Sequence, residues 1–194
     1  MGETRNYTDP NLAIIKRCQK GERLAFQELY NLYAKAMFNI SLRIVNNSEE
    51  AEEVLQDAFV KAFNKISTYD PKFSFGMWLK RMVINASLDV LRKRKVILVS
   101  LEEMYIEQEA EDDDDDQDND KYIYDVETIK KCITQLPDGY RTILSLYLFE
   151  DHTHQEVADM LGINIGTSKS QYRKAKLKLI ELLKHNTITH ERSA

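Results

Sequence analysis

The densest usable chemistry lies in the last quarter of the chain. Between Ile165 and Lys184, the basic residues Lys169, Arg173, Lys174, Lys176, Lys178 and Lys184 are opposed only by Glu181. Ammonium and guanidinium groups repeated along one element bind phosphates, and Lys169 and Arg173 stand one helical turn apart. Ser170 and Gln171 add short polar groups of the kind that reach base edges, where a good bidentate contact discriminates by roughly 1–3 kcal/mol. Ile165, Tyr172, Leu179 and Leu183 supply the inward stripe that such a helix needs. A solvated amphipathic helix has the same composition. The segment before it favours the first reading: Thr153-x-x-Glu156 is a capping box for a short helix through Leu161, and Gly162-Ile163-Asn164 is a tight turn. A short helix, a glycine turn and a long basic helix form the pattern of a helix-turn-helix.

A second constellation runs from Phe75. At about 100° per residue, Phe75, Leu79, Met82, Val83, Ala86 and Val90 make one face, and Trp78, Arg81, Asn85, Asp89 and Arg92 make the adjoining stripe. An aromatic plane, an amide, a carboxylate and guanidinium groups, followed by Arg92-Lys93-Arg94-Lys95, suit phosphates and unstacked bases. The plainer alternative has Trp78 completing the core and Asp89 pairing with Arg92. A third constellation begins at Ser48. Ala51, Leu55, Ala58, Ala62 and Ile66 face inward, while Glu52, Gln56, Val60 and Phe63 share another side. Mixed apolar and acidic groups fit a protein partner, and a helix buried on two sides gives the same pattern.

Catalytic chemistry has no foothold. No Gly-rich phosphate loop, nucleophile elbow or HExxH occurs, so no catalytic residue and no cofactor is assigned. His152 and His154 flank the cap Thr153 and read as turn residues. Cys18 and Cys132 read as buried apolar fillers, and no metal site is expected. The five aspartates from Asp112 to Asp116 resemble a calcium loop in composition but lack its Gly and terminal Glu.

The elements that position these groups are helices. Six Gly and three Pro in 194 residues favour long helices, and the class is all-α. Asp9-Pro10 reads as a helix start with Pro at the first helical position, and Gly21 ends that helix. A stripe at Phe26, Leu29, Tyr30, Tyr33, Met37, Ile40 and Ile44 spans Glu22 to Val45, and Asn46-Asn47 breaks it. Ser48 can cap the next helix, to about Ile66, with Glu49, Glu50, Glu52 and Glu53 loading its first turns. Ser67 to Ser74 reads as a loop, and the helix from Phe75 runs to Lys95. Val126, Ile129, Ile133 and Leu136 form a stripe that stops at Pro137; Asp138 can cap a helix through Phe149; Asn164 can cap the last helix, to about Lys184.

The net charge of −5 conceals a division. Ser100 to Asp125 holds thirteen acidic residues against Lys121 alone, which leaves 26 basic against 19 acidic residues elsewhere, a balance of +7. Such an acidic run stays extended, so residues 97–125 are expected to be a flexible linker between helical domains at 1–96 and 126–188. With no apolar h-region after the polar stretch Met1 to Asn11 and no apolar run of 18 residues, a cytoplasmic protein without membrane insertion is expected.

The chain resembles the extracytoplasmic-function (ECF) class of bacterial RNA polymerase sigma factors. The matches occur in order: Lys20-Gly21-Glu22 with Ala25-Phe26 and Leu29-Tyr30; Ala51-Glu52-Glu53-Val54 with Gln56-Asp57 and Phe59; Trp78-Leu79 with Asn85, Asp89 and Arg92; Leu136-Pro137 with Arg141; Glu156-Val157-Ala158; Leu161-Gly162-Ile163; Gly166-Thr167; and Lys174-Ala175-Lys176. The resemblance implies sigma region 2 at 1–96 and the sigma region 4 helix-turn-helix at 126–188. It implies binding to the β′ clamp helices of core polymerase by Glu52, Leu55, Gln56 and Phe59. Contacts to the −10 element would come from Tyr69, Asp70, Trp78, Arg81, Asn85, Asp89 and Arg92, with Tyr69 and Asp70 helping to hold a flipped base above Asn85. Contacts to the −35 element would come from Thr167, Lys169, Ser170, Gln171, Arg173 and Lys174. The β flap, promoter DNA and an anti-sigma factor are the further partners implied. Two departures stand out: Ser168 replaces an aliphatic residue of the Gly-Thr-Val pattern, and Lys174-Ala-Lys176 replaces Arg-Ala-Arg, which weakens bidentate guanine contacts. The acidic linker is longer and more charged than the pattern needs, and negative charge there would repel or imitate RNA. The competing readings are a helix-turn-helix regulator whose first domain binds a ligand or dimerises, and an RNA- or polymerase-binding accessory protein.

Overall fold

A computed structural model describes residues 8–94 and 125–191, with side chains as far as His185. The expected acidic linker therefore lies outside the described residues except for Asp125. The described residues form helices joined by turns and divide into two compact units, residues 1–91 and 92–194.

In the first unit, α2 (Arg23–Val45) is the central element, with α1 (Leu12–Gln19) and α3 (Ser48–Asn64) packed on it. Leu29, Ile40 and Ile44 on α2 are buried, and each fully buried side chain of this size stabilises by roughly 1.5–3 kcal/mol. α4 (Phe75–Lys93) joins through Ser87, whose hydroxyl lies 3.1 Å from that of Ser41 on α2. A left-handed Asn46, at φ 54°, ends α2. The cap of α3 is Asn47 rather than Ser48: its side chain accepts the Glu50 N–H, and Ser48 is already helical. α3 ends at Asn64, and Ile66 anchors a separate 3₁₀ turn, Ile66–Thr68, whose carbonyl accepts from Gln19 at 3.0 Å. Pro10 precedes α1 instead of opening it, because the Leu12 N–H bonds back to the Asp9 carbonyl. On α4 the buried set is Phe75, Leu79, Val83, Ile84, Ser87, Leu88 and Leu91, so its inner face turns away from Met82, Ala86 and Val90, which are half-buried.

Asp9 carries more than the start of a helix. Its carboxylate is 2% exposed and accepts the Phe75 N–H at 2.7 Å and the Asn11 N–H at 2.8 Å. It thereby caps α4 from 66 residues away.

In the second unit, α5 (Val126–Thr134) is capped by Asp125, whose carboxylate accepts from the Glu127 and Thr128 N–H groups. Val126 is 65% exposed, so the inward stripe begins at Ile129. α6 (Asp138–Leu144) continues as a π-helical turn, Ser145–Phe149. Asp138 is its first helical residue and not its cap, because the carboxylate is taken by the buried Arg141, which also donates to the Leu136 carbonyl at 2.7 Å. α7 (His154–Leu161) and α8 (Ile165–Glu191) follow, and α8 runs past Lys184. Leu136, Leu144 and Ala175 form a core against Tyr140, Leu179 and Leu182. Ile165, expected on the inward stripe, is 42% exposed, and Thr167, Ser168 and Gln171 take the inner positions beside it. Cys18 and Cys132 are both buried and neither is in a disulfide, and burial pushes the Cys18 thiol up.

Candidate nucleic-acid and polymerase interfaces

The first surface is built on the loop before α4 and its outward stripe. Tyr69 is 6% exposed; its phenol reaches the Phe73 carbonyl and lies 3.3 Å from the Asp9 carboxylate. Its ring packs 5.5 Å from Phe75 and 5.6 Å from Trp78. Tyr69 therefore braces the loop from below and offers little of its ring to a ligand. Asp70 is exposed and accepts the Lys72 N–H at 3.0 Å. Trp78 is half-buried, and Arg81, Asn85, Asp89 and Arg92 are exposed at helical spacing. The two alternatives for Trp78 thus divide one ring between core and surface. Phe73 and Met77, each 68% exposed, flank this stripe and were not singled out in the sequence, although an apolar residue inside a turn was the available signal.

The second surface is a groove of about 350 Å³ between α2 and α3, lined by Tyr30, Ala34, Lys35, Phe38, Glu52, Leu55 and Gln56. Leu55 and Phe59 are buried, with the Phe59 ring 4.7 Å from Tyr30 and 5.5 Å from Phe63. Glu52 and Gln56 are exposed, and so is Val60, at 59%. Only one face of α3 is buried, which leaves the other as open surface. Lys35 and Phe38 were missed because only the core stripe of α2 was read, and both lie off it. The four-residue spacing of Tyr30, Ala34 and Phe38 was the signal for a second face.

The third surface is the helix-turn-helix. Thr153 and Glu156 form the reciprocal capping box, and the Thr153 backbone N–H holds the Glu156 carboxyl below its ordinary range. Gly162 at φ 69° turns the chain, and the Asn164 side chain accepts the Thr167 N–H at 2.7 Å. Lys169, Ser170 and Arg173 are exposed on α8, and Lys174 is half-buried. Thr167 at 8% and Gln171 at 3% exposure point into the unit, because their positions coincide with the packed face of α8 that continues through Ala175. These two side chains do not stand on the outer row. His154 is not a turn residue: it opens α7 and stacks on Tyr147.

Among the described residues no cluster of His, Cys, Asp and Glu is arranged to hold a metal, and no helix is long and apolar enough to cross a membrane.

Residues 29–96 match the Sigma-70 region 2 family and residues 127–179 match the Sigma-70 region 4 family. The ECF RNA polymerase sigma factor SigW of Bacillus subtilis is 26% identical over 183 residues, covering 88% of this chain and 95% of that protein. The RNA polymerase sigma-H factor of Pseudomonas aeruginosa is 27% identical over 170 residues, covering 84% and 88%. Among solved structures, CnrH in complex with the cytosolic domain of CnrY has a TM-score of 0.53 at 20% identity, over 91% of this chain and 99% of that one. RpoE in complex with the anti-sigma factor NepR, from Bartonella quintana, has a TM-score of 0.52 at 24% identity, over 82% and 96%. Two sigma families in the expected order, with relatives matched along most of their length, agree with the paired helical units and the helix-turn-helix. The chain therefore belongs to the ECF sigma factors of RNA polymerase.

Proposed function

We propose that this sigma factor works without chemistry of its own, by holding core polymerase with one unit and a promoter with both. Residues 1–96 act as region 2 and 126–188 as region 4, with 97–125 as the tether. In region 2, the groove edged by Glu52 and Gln56 over Leu55 and Phe59 receives the β′ clamp helices. Asp70, Trp78, Arg81, Asn85, Asp89 and Arg92 meet the −10 strand over a loop braced by Tyr69. In region 4, Lys169, Ser170, Arg173 and Lys174 meet the −35 element, while Thr167 and Gln171 support the helix from inside. Melting is driven by binding energy spent on unstacked bases, which an exposed aromatic edge and amide can hold.

The observation that carries this reading is the outer row of α8, where Lys169, Ser170 and Arg173 are exposed on a helix held by a capped partner and a left-handed glycine turn. The β flap is a further partner by family kinship. An anti-sigma factor is another, since one fold neighbour, RpoE of Bartonella quintana, was solved with an anti-sigma factor bound. The protein would then reside in the cytoplasm with the polymerase. In vitro transcription with core polymerase as the only other protein tests the proposal. Specific initiation supports it; silence that is relieved only by a second specificity subunit would identify a regulator instead.

A further inference from the structure

Ser168 sits at 0% exposure on the inner face of α8, at the position where the resembling pattern carries an aliphatic residue. A hydroxyl sealed from water is costly unless it is bonded. Its Oγ lies 3.0 Å from Nδ1 of His154, the first residue of α7. The imidazole is held in turn. It stacks on Tyr147 at 4.2 Å and 21°, and meets the edge of Tyr172 at 5.5 Å. Tyr147 and Tyr172 lie 4.5 Å apart. The π-helical turn, α7 and α8 each contribute one ring, so three elements meet in one joint.

The joint adjoins the outer row. Lys169 follows Ser168, and Arg173 follows Tyr172, so a small roll or slide of α8 against α7 displaces both cations. An aliphatic residue at 168 would pack without a preferred direction, whereas a hydrogen bond to an imidazole fixed by two rings defines one. Burial, and then Lys169, hold the His154 pKa below its ordinary value. The ring is therefore neutral at neutral pH, and either tautomer makes this bond: Nδ1 accepts the Ser168 O–H, or its N–H donates to the Ser168 oxygen. The titratable and charged groups around it are Lys169 and Tyr172 from α8, Tyr147 from the π-helical turn, and His152 and Glu156 beside and on α7.

We propose that His154, bonded to Ser168 and stacked with Tyr147 and Tyr172, is the positioning residue that sets the pose of α8 and thereby the base preference of the −35 contact. This rests on reading α8 as the DNA-binding helix. The test uses holoenzyme assembled from the full chain. A duplex is selected from a library randomised across the −35 region, and its affinity is compared with that of single-base variants. Ser168→Ala and His154→Ala should each lower discrimination about 3- to 10-fold, the range of one hydrogen bond, with affinity for unselected duplex changed less than about 2-fold. His154→Asn, whose amide can reach the Ser168 hydroxyl, should restore much of the loss. Ser168→Ala removes a single oxygen and keeps the test open if the histidine variants unfold. Unchanged discrimination in folded Ser168→Ala, or equal loss of selected and unselected binding, would overturn the proposal. A wild-type holoenzyme that selects no duplex would instead defeat the reading of α8 itself.

Discussion

Arg173 and Gln56 stand on surfaces assigned to different partners, and their substitutions should separate. Arg173→Ala removes one exposed guanidinium from α8. It should weaken binding to a −35 duplex, reduce the slope of log affinity against log salt by about 1, and leave core polymerase binding unchanged; titrations at several salt concentrations measure all three. Gln56→Ala truncates the exposed edge of the groove between α2 and α3. It should weaken assembly with core polymerase several-fold and spare DNA contacts, read by competition against a labelled sigma factor. Equal loss of both activities from either change would refute the division. At this scale the sequence was readable for exposed charge and poorly readable for burial. Lys169 and Arg173 lie outside as expected, whereas Thr167 and Gln171, equally polar, lie inside because a helix of this pitch brings them to its packed side.

Elements respond to groups far away in sequence. Asp9→Ala would leave the Phe75 N–H at the N-terminus of α4 without its carboxylate acceptor, and should destabilise the first unit by about 1–3 kcal/mol, visible as a lower melting temperature. Loss of fit at the α4 stripe should accompany it. The second unit carries a pH signature. Folding disfavours the charged form of His154, so the folded unit binds fewer protons than the unfolded one. That stability is complete above pH 6.5 and declines as pH falls below it. A second decline follows below pH 4.5, where Glu156, whose carboxyl is held low by Thr153, takes up its proton. Thermal melts between pH 8 and pH 4 check both steps; a flat profile from pH 7 to pH 5.5 would contradict the first.

In the proposed function the whole molecule grips DNA at two points, and two linked contacts outperform either one only when geometry lets both engage. Inserting about 5 base pairs, half a helical turn, between the −10 and −35 elements should therefore abolish most specific transcription, while the same insertion upstream of both should have little effect. Run-off assays on such templates decide it. Persistent initiation after the insertion would mean that one unit suffices.

Local chemistry was enough for much of this protein. The helical class, the Thr153 capping box, the Gly162 turn and the basic outer row of α8 were legible in the sequence. Each depends on neighbours within about four residues, which is the range over which helical spacing and caps act. Tertiary structure alone decided what depends on contacts between distant segments. Asp9 reaching the N-terminus of α4, the groove shared by α2 and α3, and the bond between His154 and Ser168 join residues 66, about 20 and 14 positions apart. Periodicity names the faces of a helix; only the packed partner decides which face is sealed and which is left for DNA or polymerase.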